Sequence, residues 1–134
     1  MIRIAIICIV GLILTGCASS GWGEPKAALL SYSCGDSVVL GSLANTIDGP
    51  TEPLEGDFLG HGWFFADLYV QQHLTGAPIG DQFRVKYFGH AGLREDRDFI
   101  FVVAPIEGVD DFLIRRSSLV SSRPKLQDQC RNVR

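Results

Sequence analysis

Phe64-Phe65-Ala66-Asp67-Leu68-Tyr69-Val70-Gln71-Gln72-His73-Leu74-Thr75-Gly76 decides the fold. Successive side chains of a strand point to opposite faces. Here Phe64, Ala66, Leu68 and Val70 share one face, and Phe65, Asp67, Tyr69, Gln71 and His73 share the other. A helix would space its apolar residues three and four apart. The segment therefore predicts a half-buried strand, ended by Gly76 and Pro78.

The same period extends to both sides. Downstream, Gly80-Asp81 opens a strand in which Phe83, Val85 and Tyr87 alternate with Arg84, Lys86 and Phe88 before Gly89. Upstream, Val38, Leu40 and Ser42 alternate with Val39, Gly41 and Leu43 in a strand over 37–47, ended by Asp48-Gly49-Pro50. Phe99 to Val103 is continuously apolar, as expected of a strand covered on both faces. Phe112, Leu113 and Ile114 begin a fifth, and weak helix signals are confined to 26–30 and 125–129. Short strands separated by turn residues at regular intervals mark an all-β fold. Closing five of them into a small barrel removes the exposed edges of a flat sheet. The expected core is Phe64, Ala66, Leu68 and Val70, joined by Phe83, Val85, Tyr87, Phe99, Phe101 and Val103.

Ahead of the barrel, Met1-Ile2-Arg3 precedes an uncharged run over 4–14 and then Leu14-Thr15-Gly16-Cys17. A spanning helix needs about 20 apolar residues, whereas the apolar region of an export signal runs to about 7–15. The four residues ending in Cys17 resemble the bacterial lipoprotein box. That resemblance implies cleavage before Cys17, acylation of its thiol and permanent attachment to a membrane. Each buried methylene of the acyl chains contributes about 0.8 kcal/mol. Ala18 stands where an aspartate would retain a lipoprotein in the inner membrane, so the expected location is the outer membrane, facing the periplasm. The expected organisation is a signal peptide over 1–16, a lipidated tether over 17–26 containing Trp22, and an OB-like barrel domain over 27–134.

Without residues 1–16, 11 basic residues face 15 acidic ones, a net charge of −4 with histidines neutral. A nucleic-acid partner would call for a basic face, so none is expected. Cys8 leaves with the signal and Cys17 is reserved for lipid, which leaves Cys34 and Cys130. In an oxidising compartment these two are expected to pair, the alternative being two buried free thiols.

The order of strands suggests a family. The segment from Phe65 to Gly76, followed by Pro78, Gly80-Asp81 and Phe83-Arg84-Val85-Lys86-Tyr87, resembles a netrin-like barrel, in which a strand ending in glycine leads through a short turn to the next. Arg97-Asp98-Phe99-Ile100-Phe101-Val102-Val103 is similar to the family's following strand, with Cys34 and Cys130 bracketing the whole. The resemblance implies a five-stranded OB architecture. In the metalloproteinase-inhibitor members, the free amino group of an N-terminal cysteine chelates the target's zinc. Here Cys17 would carry lipid and Cys34 is internal, so that mechanism does not transfer.

No motif names a chemistry. His61, His73 and His90 form no HExxH and no Cys/His ligand cluster, so neither a metal nor a cofactor is expected. A serine nucleophile would need an elbow such as G-x-S-x-G, which is absent. Gly60-His61-Gly62 has Phe65 where a dinucleotide loop requires its third glycine. Asp48, Glu52, Glu55 and Asp57 place four carboxylates in a long loop over 48–63, which could hold a hard cation but reads first as a solvated connection. That loop also carries Phe58, Leu59 and Trp63, a candidate recognition surface, with capping of the barrel's open end as the alternative. Arg94-Glu95-Asp96-Arg97-Asp98 reads as a charged hairpin tip, and Arg115-Arg116 as an outward strand residue beside another near an edge. The expected function is a non-catalytic binding or scaffolding module held at the membrane by its lipid, its partner another envelope component. The alternatives are a small periplasmic hydrolase using His61, His90 and a loop acid, or a protease inhibitor.

Overall fold

A computed structural model describes residues 27–130, whose regular elements are all β-strands apart from one 3-10 turn at Val120–Ser122. The lipid-box residues, Cys17 and Trp22 lie outside the described residues. Five strands, β2 (Ser37–Glu52), β3 (His61–Gly76), β4 (Gln82–Gly89), β5 (Phe99–Pro105) and β6 (Phe112–Leu119), close into a barrel in the order β2-β3-β4-β6-β5. Neighbours are antiparallel except at the β4–β6 seam. That seam is parallel and two pairs long, Val85 opposite Phe112 and Lys86 opposite Leu113. The closed mixed barrel of five strands is compatible with an OB-like fold.

Alternation decides what fills it. Ala66, Leu68, Val85, Phe101 and Val103 are fully buried, with Tyr87 and Phe99 close behind. Phe64, Val70, Phe83 and Phe112 pack against them from the barrel ends. Each fully buried large side chain contributes roughly 1.5–3 kcal/mol. Strand β2 makes closure possible by pairing with β5 only from Ser37 to Gly41 while remaining on β3 along its length. At this bend a Cβ on Gly41 would run into the carbonyl of Tyr69, so the close approach of the two strands requires glycine.

Two expectations are corrected. Strand β2 does not stop at Asp48-Gly49-Pro50 but continues to Glu52, opposite His61. A register shift between Asp48 and Thr51 places Gly49 and Pro50 in a bulge. Beyond Gly41 the other edge of β2 has left β5, so the N–H that proline lacks is not needed there. The connection is therefore 53–60 rather than 48–63. The helix signals at 26–30 and 125–129 also fail over the described residues. Leu29–Tyr32 forms β1 and Lys125–Asp128 forms β7, a parallel pair in register Leu29 to Lys125 and Tyr32 to Asp128.

Tertiary contacts override local preference in that pair. Cys34 and Cys130 are joined by a disulfide, 96 residues apart in sequence and 5.1 Å apart at Cα. Just inside it, Gln129 N–H donates to the Tyr32 carbonyl at 3.0 Å. Strand β1 then lays Leu30 over Val38 and Val102, which face each other on the outside of β2 and β5. This second apolar cluster explains why Phe99 to Val103 is apolar throughout: Phe99, Phe101 and Val103 enter the barrel, while Val102 is covered from outside.

Candidate functional site

The outward residues of β3 and β4 should be polar, yet at one end they are aromatic. Trp63 and Phe88 are opposite one another in the ladder, with ring centroids 5.2 Å apart. His61 stacks on Phe88 at 5.6 Å and meets the His90 ring edge-on at 5.6 Å. The Lys86 ammonium lies 5.0 Å from the centre of the Trp63 ring, within the range of a cation–π contact. Trp63 is fixed further by its indole N–H, which donates to Glu52 Oε1 at 2.7 Å across the β2–β3 hairpin. Trp63 therefore belongs to a strand rather than to the loop, and it packs on the outer sheet face instead of plugging the barrel.

The 53–60 connection projects beyond this platform. Asp57 shapes it: one carboxylate oxygen accepts the N–H groups of Leu59 at 3.2 Å and Gly60 at 3.1 Å, and the other lies 2.6 Å from His61 Nδ1. The hydrogen bond from His61 holds the Asp57 carboxyl below its usual range, the two backbone N–H groups acting the same way and burial opposing them. With the loop so clasped, Phe58 is 99% exposed and Leu59 76% exposed. Neither caps the barrel's open end. That end is closed by the segment after β4, where Leu93 donates its N–H to the Tyr87 hydroxyl at 2.9 Å and joins the core. Glu95 anchors the same segment by accepting the Thr46 N–H at 2.7 Å.

The candidate residues are only partly brought together. Asp57, His61 and His90 converge beside a cavity of about 300 Å³ lined by His61 and His90. His73 lies apart, its Nε2 2.9 Å from the Ala77 carbonyl. Of the four loop carboxylates, Asp57 engages His61 and Glu52 engages Trp63, while Asp48 lies opposite Phe64 in the β2–β3 ladder. Among the described residues, no group of three or more His, Cys, Asp or Glu side chains is placed to hold a metal ion. No hydrogen bond there joins His61 to a serine, threonine or cysteine. Arg94 pairs with Asp96 at 2.5 Å, both exposed.

Phe88 and Lys86 are the functional candidates that single-residue motifs overlook. Their signal was parity: Phe88 falls on the same outward face as Arg84 and Lys86, and His61, Trp63 and Phe65 share the outward parity of β3. No family model, no curated protein and no solved structure matches the chain.

Proposed function

We propose that the chain is a non-catalytic binding module of the cell envelope, with the barrel as scaffold and the 53–60 loop as its recognition element. The observation that carries this is the near-complete exposure of Phe58 and Leu59 on a loop clasped by Asp57. Large apolar side chains dominate binding hot spots once a partner desolvates them, and a loop already ordered in the free protein loses less entropy on binding. The envelope address rests on Leu14-Thr15-Gly16-Cys17 and on Ala18 after it. Lipid on Cys17 would hold the barrel near the outer membrane's periplasmic face, and the partner would be another envelope component. The netrin-like resemblance supplies the scaffold in this reading and no inhibitory mechanism.

A hydrolase built on His61 has one observation in its favour, the 2.6 Å contact to Asp57. Against it, Asp57 also closes the loop on itself through Leu59 and Gly60, so the pair reads first as a structural clasp. The test is a double substitution of Phe58 and Leu59 to Ser, with crosslinking of the full chain in intact envelopes. Loss of the crosslinked partner supports recognition by the loop; an unchanged crosslinking pattern rejects it. Cys17→Ser in parallel should give an unprocessed precursor without acyl chains.

A further inference from the structure

Arg115 and Arg116 are adjacent on a strand, where neighbours ordinarily face opposite ways. A bulge lifts that constraint. Across β5 and β6, Val103 pairs with Ile114 and Val102 with Arg116, which leaves Arg115 as the extra residue. Bulges commonly re-aim side chains beside functional sites, and here both arginines line one cavity of about 440 Å³. The cavity lies where the parallel β4–β6 seam has parted after only two residue pairs.

Its surroundings are chemically mixed in a specific way. Trp63 and Phe88 form one wall, and Ser33 and Gln129, beside the β1–β7 pair, contribute polar groups to another. Asp36, nearly buried, sits 3.4 Å from Arg115 Nε and gives its second oxygen to the Ser33 N–H at 2.7 Å. That carboxylate positions Arg115 without a hydrogen bond to its terminal nitrogens. Arg116 makes no ion pair among the described residues, so the two arginines outweigh the single Asp36 carboxylate in the lining. A locally basic, aromatic-walled hollow on a chain of net negative charge is out of keeping with its background.

We propose that this seam cavity binds a saccharide unit bearing an acid group, either a carboxylate or a phosphate. Three features of such a ligand match three features of the cavity. The planar guanidinium forks of Arg115 and Arg116 suit an oxyanion with two oxygens. The C–H face of a sugar ring suits the half-exposed rings of Phe88 and Trp63. The hydroxyl rim suits Ser33 and Gln129. This site is separate from the loop recognition proposed above, so Phe58→Ser/Leu59→Ser leaves it intact.

The test titrates the full chain with trigalacturonic acid, glucose 6-phosphate, maltotriose, inorganic phosphate and a hexaglutamate peptide. Binding is read by calorimetry and by the indole N–H resonance of Trp63. The expected result is binding of one or both acid-bearing sugars, their relative affinities distinguishing carboxylate from phosphate. Maltotriose and inorganic phosphate should each bind at least roughly tenfold more weakly, since each lacks one charge-assisted or apolar contact. Arg116→Gln should weaken the acidic sugar by a similar factor without moving the melting temperature, and Phe88→Leu should weaken the sugars while leaving inorganic phosphate unaffected. Equal binding of neutral and acidic sugars, an Arg116→Gln variant that binds like the parent, or hexaglutamate or phosphate binding as tightly as the sugars would each overturn the proposal.

Discussion

His61 Nδ1 lies 2.6 Å from Asp57 Oδ2, four residues away, and this one contact ties the first residue of β3 to the loop that precedes it. The relationship does two things. It turns the His61 ring so that it stacks on Phe88, and it aims the other Asp57 oxygen at the backbone of Leu59 and Gly60. Platform and loop are thus ordered by the same carboxylate, which is why the exposed Phe58 and Leu59 have a defined place beside the aromatic strip.

Acid should open that clasp. The folded-state value of Asp57 is depressed, chiefly by the hydrogen bond from His61. Its stabilisation is therefore fully present above the ordinary aspartate value of about 3.9 and is lost as pH falls through the lowered folded value. Amide exchange at Leu59 and Gly60 should accelerate on acidification below about pH 4 relative to intrinsic rates, while core amides of β5 remain protected. Asp57→Asn should remove this pH step and raise exchange at pH 7. Glu95, also depressed, mainly by the Thr46 N–H, predicts a parallel step at Thr46 that Asp57→Asn leaves in place.

Two glycines should be intolerant of alanine for different reasons. At Gly41 the added Cβ meets the Tyr69 carbonyl; at Gly76 it meets the Asp36 carbonyl, on a backbone with φ of +90°. Since the obstacle in both cases is backbone, each substitution should cost on the order of 2–3 kcal/mol in denaturant unfolding. Gly80→Ala, with open space around it, should stay within about 0.5 kcal/mol of the parent. A cost at Gly80 equal to that at Gly41 would contradict the close-approach account of the barrel corner.

The barrel was legible because alternation is a property of each strand alone. Leu68 and Val85 occupy the faces that parity assigned to them, and Cys34 finds Cys130. What the sequence concealed depends on pairing. Pro50 signals a stop to any local rule, yet it is harmless in a bulge on an edge that has already left β5. Lys125 to Gln129 resembles a helical turn until the disulfide and β1 impose extension on it. The aromatic strip is half visible: Trp63 and His61 stand out in the sequence, but their meeting with Phe88 requires the register of β3 against β4.

Replacing Phe58 and Leu59 with Ser should leave stability almost untouched. Side chains that are 99% and 76% exposed have little burial to lose, and surface substitutions of this kind usually stay within about 0.5 kcal/mol. Phe88→Ala should cost more, because Phe88 supports both Trp63 and His61; aromatic pairs contribute roughly 0.5–1.5 kcal/mol beyond area burial. Thermal melts of the two variants should therefore separate loop from platform. A fall of several degrees for the loop variant would mean that Phe58 or Leu59 packs on the barrel.

Reduction of Cys34–Cys130 should act first on the outer layer rather than on the barrel. The bridge closes a loop of 96 residues, worth about 4–5 kcal/mol in the chain-entropy model. Its local effect is to hold β1 against β7, and β1 is what keeps Leu30 over Val38 and Val102. In the Cys34→Ser/Cys130→Ser variant, exchange should rise in Leu30–Tyr32 and Lys125–Asp128 under conditions where Phe101 and Val103 are still protected. Exposure of Val38 and Val102 should follow, detectable as binding of a hydrophobic dye below the melting temperature. If barrel and ribbon instead lose protection together, Leu30 is part of one cooperative core, and the two clusters that flank β5 fold as a unit.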